Sequence, residues 1–182
     1  MKKMLGDWRQ PEVQDLGRLI DSQSKSTVAA WCVSYAETRM LPIYERAYPS
    51  DTRPRDALAA ARAYIADAAA FPELKAGVST CHAAAKEAER NPAAQAAARA
   101  TAHAASAVHA LAHSLGLALY GTTAVAYGRA GTEANAGLYD RIAKTEFDKM
   151  EETLFAASVE NEKEPSQVDW RELDRILKST TV

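Results

Sequence analysis

The chain has 182 residues, rich in Ala and poor in aromatic residues, with 22 Lys and Arg against 24 Asp and Glu. That length suits one domain with a sizeable core, and the composition argues for helices and against a sheet. A net charge of −2 excludes a global basic field of the kind that attracts nucleic acid.

Met1 to Gln10 has two lysines but no apolar run behind them, so it reads as a flexible arm and not as a secretory signal. Pro11 suits the first position of a helix, and Val13, Leu16, Leu19 and Ile20 come after it at helical spacing. Asp21 to Ser26 is a polar link, with Ser26 or Thr27 able to cap the next helix. That helix is predicted from Thr27 to Tyr48, with Val28, Trp31, Cys32, Tyr35, Met40 and Leu41 inward and a kink or restart at Pro42. Asp51 or Thr52 caps a third helix, whose apolar stripe is Leu58, Ala61, Ile65 and Ala68. Phe71 to Gly77 is predicted to break it, and Val78 to Arg90 forms the fourth helix.

Asn91-Pro92 marks a strong boundary, with Asn in a left-handed stop and Pro beginning a new helix. From Ala93 to Tyr120 the spacing predicts one long central helix, and no Asp, Glu, Lys or Arg occurs between Arg99 and Arg129. Ala97, Ala100, Ala104, Val108, Leu111, Leu115 and Leu119 share one side of it, and Gln95, Arg99, Ser106, His109 and His113 the other. The stretch could span a bilayer by length, but its histidines, hydroxyls and many alanines make it a poor membrane helix. Gly121, Gly128, Gly131 and Gly137 punctuate the next stretch, with a short helical piece at 122–127. A longer helix runs from Leu138 to Val159, with Leu138, Ile142, Phe147, Met150, Leu154 and Phe155 inward. Residues 160–167 are charged and contain Pro165, and Val168 to Lys178 has an amphipathic stripe that includes Trp170. From Asp140 onward the net charge is −4, a mildly acidic tail.

The fold expected is therefore all-α, a single-domain bundle or set of stacked hairpins with about seven helices. Its parts are an arm at 1–10, the bundle at 11–160, and a linker with a C-terminal amphipathic helix at 161–182. Cys32 and Cys81 read as buried free thiols. The expectation is a soluble cytoplasmic protein, with no membrane or nucleic-acid partner, and homo-oligomerisation left open.

Few residues suggest chemistry. No catalytic triad, phosphate loop or dinucleotide fingerprint appears, and neither a catalytic residue nor a cofactor is assigned. His109 and His113, four apart on a helix, could face one metal ion, with His103 or His82 as further ligands. The alternative is four structural histidines that hydrogen-bond between helices. Arg53, Arg55 and Arg62 surround a helix start and could hold an anion or a partner, or pair with Asp51, Asp56, Glu37 and Glu45. Trp170 is the tryptophan best placed for an interface.

Three segments together resemble a known family. They are WCVSYAETRMLPIYE from Trp31 to Glu45, DTRPRDALAAARAY from Asp51 to Tyr64, and an Ala-rich helix pair with His82, His103, His109 and His113. The combination resembles bacterial immunity proteins of polymorphic toxin systems, over roughly residues 28–128. Its most specific part is Asp51, Arg53 and Pro54 with Arg62. The resemblance implies an all-helical, non-enzymatic protein that binds and neutralises a cognate toxin. The runner-up is a metal-dependent helical-bundle enzyme that uses the central histidines.

Leu111 on the apolar side gives the first test. Leu111→Asp buries an unpaired charge and is expected to unfold the domain, a loss of several kcal/mol. An unchanged melting temperature would put Leu111 on the wrong face.

Overall fold

The computed structural model describes residues 5–7, 9–170 and 175. Among them are eight α-helices and no strand: α1 (Pro11–Asp21), α2 (Lys25–Tyr35), α3 (Leu41–Ala47), α4 (Arg53–Ala66), α5 (Phe71–Glu87), α6 (Pro92–Ala107), α7 (His113–Ala130) and α8 (Ala136–Ala157). A π-helical segment, Ala36–Met40, joins α2 to α3, so these form one interrupted rod and the bundle has seven. The widened turn sits immediately before Leu41-Pro42 and accommodates the missing proline N–H and its ring.

α6 is the hub. It touches α2, α3, α4, α5 and α7, and packs along α7 most extensively. Nearly every residue from Ala94 to Ala107 is buried. A buried methyl contributes only ~0.8 kcal/mol, whereas a large side chain contributes ~1.5–3. The apolar stabilisation therefore comes mainly from what α6 allows close: Leu58, Leu74, Leu117, Leu119, Met40, Met150 and Leu154, all fully buried. The α4–α5 hairpin lies against one side of α6, and α8 packs on α1, α2 and α7.

Several boundaries differ from the expectation, each for a physical reason. The central helix is not continuous: it ends at Ala107, and residues 108–112 turn the corner into α7. Leu111 is buried, at 8% exposure, but in that corner. α7 runs through Gly116, Gly121 and Gly128, and only Gly131, at φ +69°, stops it. The helical piece expected at 122–127 is part of α7. At Gly121 a Cβ would come 3.1 Å from Met150 Cε and 3.3 Å from Met40 Sδ, so the glycine admits its neighbours and does not break the helix. Likewise Gly77 lies inside α5, where an added Cβ would approach Ala57 Cα to 3.2 Å. Asn91 is extended at φ −124°, and its side chain caps α6 by accepting from Ala94 N–H, so it begins a helix instead of stopping one. α2 starts two residues before Thr27, capped by Ser24.

Some apolar residues also face differently. Ile65 and Ala68 are exposed, because the α4 stripe overhangs a cleft of about 650 Å³ beside the α6–α7 corner. Leu154 takes the core position on α8, and Phe155, about 100° further round, is left 73% exposed. Ser106, expected on the polar side, is buried and donates to the Ala102 carbonyl. Cys32 and Cys81 are buried free thiols, as expected.

Outside the helices, Leu5 is buried beside Ala126 and Tyr127, and its N–H donates to Thr123 Oγ1 at 2.8 Å. The 159–170 segment runs back along α1. Val159 N–H donates to Gln23, Ser166 Oγ donates to the Ile20 carbonyl, and Val168 N–H donates to Asp21. Residues 168–170 are not helical, and apart from Arg175 the rest of the expected terminal helix lies outside the described residues. No helix among the described residues is long and apolar enough to cross a membrane.

Two glycines of α7 separate packing from propensity. A Cβ at Gly116 would run into the His103 ring at Nδ1, whereas at Gly128 the nearest atom is 4.0 Å away. Gly116→Ala is expected to destabilise by about 1–3 kcal/mol through overpacking. Gly128→Ala is expected to stabilise by roughly 0.5–1 kcal/mol. Denaturant midpoints of the two variants check both.

Candidate functional site

Two polar regions stand out, one inside the bundle and one on its surface. The inner region gathers the four histidines at the α6–α7 corner. His103 of α6 is 1% exposed, and its Nδ1 lies 2.9 Å from His113 Nδ1 at the start of α7. Tyr120 stacks on the His103 ring at 5.3 Å, and His82 of α5 meets it edge-on at 6.0 Å. His109 is exposed in the corner, 6.2 Å from the His113 ring, with Phe71 edge-on at 5.5 Å. Burial lowers the pKa of all four. Neighbouring cationic groups lower them further: His113, His82 and Arg99 act on His103, His109 and His82 on His113, Arg99 on His82, and Lys25 on His109.

The structure brings His82, His103, His109 and His113 together at one corner. Among the described residues, no three His, Cys, Asp or Glu side chains are arranged to hold a metal ion. His109 and His113 do not share a helical face, because His109 lies in the corner before α7 begins. The Nδ1 atoms of His103 and His113 are committed to each other. His103 Nε2 is buried without a hydrogen-bond partner. His103 and His113 are thus hydrogen-bonded between α6 and α7, while His82 and His109 meet them through ring contacts.

The surface region follows α4. Arg53 donates to both Asp51 oxygens, at 2.9 and 2.7 Å, and to Glu87 of α5, at 3.1 and 2.6 Å. Asp51 also accepts from Tyr44 Oη at 2.6 Å and from Arg53 N–H. The Arg53 guanidinium, with these other donors, holds the Asp51 carboxyl down at about 2. Arg55 makes a two-pronged pair with Glu45, and Arg62 one with Glu37. The sequence had offered those carboxylates as one reading, and Asp51, Glu45 and Glu37 are the partners found. Glu87, on the next helix, was not foreseen. The Arg55 and Arg62 side chains remain 60% and 50% exposed, so each pair is worth under about 1 kcal/mol.

Trp170 sits elsewhere, on α1. Its Nε1 donates to Asp21 at 2.9 Å, and its ring lies over Gly17.

One polar cluster escaped the sequence reading. Glu146 of α8 is 1% exposed, accepts from Tyr35 Oη at 2.7 Å, and takes a two-pronged pair from Arg39 at 3.0 and 2.6 Å. Burial, and then the Glu146 charge, push the Tyr35 phenol up. Arg39 belongs to the π-helical segment. Arg39 and Glu146 are 107 residues apart, and neither sits in a pattern distinguishable from a solvated helix face, so no local signal joined them.

A seven-rod α-bundle with a polar core corner and an Arg–Glu surface is a helical scaffold presenting a charged face. Its family is given by sequence. The family described as "Imm-5 like putative immunity protein" matches residues 18–153, and the chain belongs to it. The match extends past the 28–128 resemblance, reaching into α1 and through most of α8. No curated protein and no solved structure matches the chain.

Glu146 supplies the test for this region. Arg39→Ala leaves a buried carboxylate without its cation and is expected to cost about 3–5 kcal/mol. Arg39→Ala with Glu146→Leu should recover a large part of that loss in thermal or denaturant unfolding.

Proposed function

We propose that this protein binds a cognate bacterial toxin in the cytoplasm of the cell that makes it, and neutralises it by covering its active surface. The observation that carries the reading is membership of the immunity-protein family over residues 18–153. Inhibition by contact needs no catalytic residue of its own, only a rigid scaffold and a few anchoring side chains.

The α4 face is the proposed contact. Arg53, Arg55 and Arg62 carry guanidinium groups there, and Ile65 and Phe71 add exposed apolar area at 44% and 41%. Arginines in weak, exposed pairs can exchange Glu45 or Glu37 for carboxylates of a partner at small cost. Trp170, held by Asp21, would take a secondary part.

The test is capture of proteins by the tagged full-length chain from its native cell, followed by assay of the captured protein's activity. A stoichiometric partner that poisons cells alone and is silenced by the chain is expected. Arg55→Glu with Arg62→Glu should weaken that binding at least tenfold while the melting temperature moves by less than about 2–4 °C. A chain that captures no toxic protein, or a partner bound equally by the variant, removes the reading or its surface respectively.

A further inference from the structure

The bond between His103 and His113 carries more than packing. With nitrogens 2.9 Å apart, one of the two Nδ1 atoms carries the hydrogen and the other accepts it. Were His113 the donor, neutral His103 would hold its hydrogen on Nε2, which is buried and has no partner. Orphaned buried N–H groups are rare and cost about 1–3 kcal/mol. With His103 as donor, its Nε2 is a bare acceptor and His113 carries its own hydrogen on Nε2. That assignment leaves nowhere for a second proton. On His113 it would enter the hydrogen bond itself and set N–H against N–H. On His103 it would go to the buried Nε2.

We propose that His103 and His113 form a proton-sensitive latch across the α6–α7 corner: His103 donates from Nδ1, His113 accepts, and protonation of His113 opens residues 108–112. The corner holds His109 and, through Val108 and Leu111, one wall of the cleft under Tyr64 and Ile65. Its backbone is held by turn bonds, such as Ala110 N–H to Ser106 and Ser114 N–H to Leu111, and by Lys25 Nζ and Ser114 Oγ, which donate to the His109 and Leu111 carbonyls. The latch is independent of the toxin reading.

The groups around the pair act in one direction. His82 faces it from α5, Arg99 from α6 and His109 from the corner, and all are cationic or become so in acid. Tyr120 covers His103 from α7, and Lys25 of α2 donates to the His109 carbonyl. Burial is the largest effect and holds His113 down at about 4. An opened imidazole takes its proton near 6.5. The closed corner is therefore fully favoured above about pH 6.5 and loses ground as pH falls towards about 4. The loss is about tenfold in the closing equilibrium per pH unit for each histidine released.

The test uses the full chain. Side-chain ¹⁵N spectra of its histidines from pH 7 to pH 4 report tautomers directly, and amide exchange reads the corner. At pH 7 the hydrogens should lie on His103 Nδ1 and His113 Nε2, and His113 should titrate at least one unit below 6.5. Between pH 6.5 and 5, opening at 108–113, after allowance for intrinsic exchange, should rise at least tenfold while 117–125 stays protected. His113→Gln keeps an acceptor that cannot titrate, and its corner opening should change less than twofold. A hydrogen on His103 Nε2, a His113 titrating near 6.5, or equal acid opening in wild type and variant overturns the latch. If the variant fails to fold, the wild-type tautomers and titration decide alone.

Discussion

Helix axes can approach to about 8 Å only where the side chains between them are small, and α6 offers small side chains on most of its circumference. The remaining helices take their places from that contact. Five α-helices and the π-helical segment reach α6 directly, and Leu58 of α4, Leu74 of α5 and Leu115, Leu117 and Leu119 of α7 are buried against it or its neighbours. The same device recurs where Gly77 meets Ala57 and where Gly121 admits Met40 and Met150. Interdigitation therefore comes from the partners' Leu and Met side chains, while α6 contributes proximity.

Close packing makes the few buried polar groups consequential. A polar group away from water costs free energy unless its hydrogen bonds are made. Glu146 meets that demand with three donors from the rod that contains α2 and α3, which ties α8 to a particular register. His103 meets it at one nitrogen only. A carboxylate paired with an arginine is satisfied across the neutral pH range, whereas a neutral imidazole pair is satisfied only until a proton arrives. The two clusters thus differ in kind, a permanent clamp and a conditional one.

The surface obeys a different rule. Arg55 and Arg62 of α4 are paired, but in water, where the pairing is weak enough to be traded. A dense interior with exchangeable charge outside separates what holds the fold from what its surface presents to solvent. Under the proposed contact, substitutions at Arg55 and Arg62 alter recognition without touching α6, and the reverse holds for the glycines and alanines beneath.

Read alone, the sequence established the all-helical class, the helix starts at Pro11, near Pro54 and at Pro92, and the inward set of the second helix. It did so because proline placement and apolar spacing act within a few residues. It also carried the family through local motifs at 31–64. The corner at 108–112 was not legible, because Ala-rich sequence permits helix everywhere and only packing decides where to turn. The same limit hid the helical roles of Gly77 and Gly121, whose meaning lies in Ala57, Met40 and Met150. It hid Arg39–Glu146 as well, and the tautomer of His103, which depends on what surrounds a single buried nitrogen. Residue type and spacing set the local structure here; contacts between distant residues set the corners, the buried ion pair and the proton that His103 keeps.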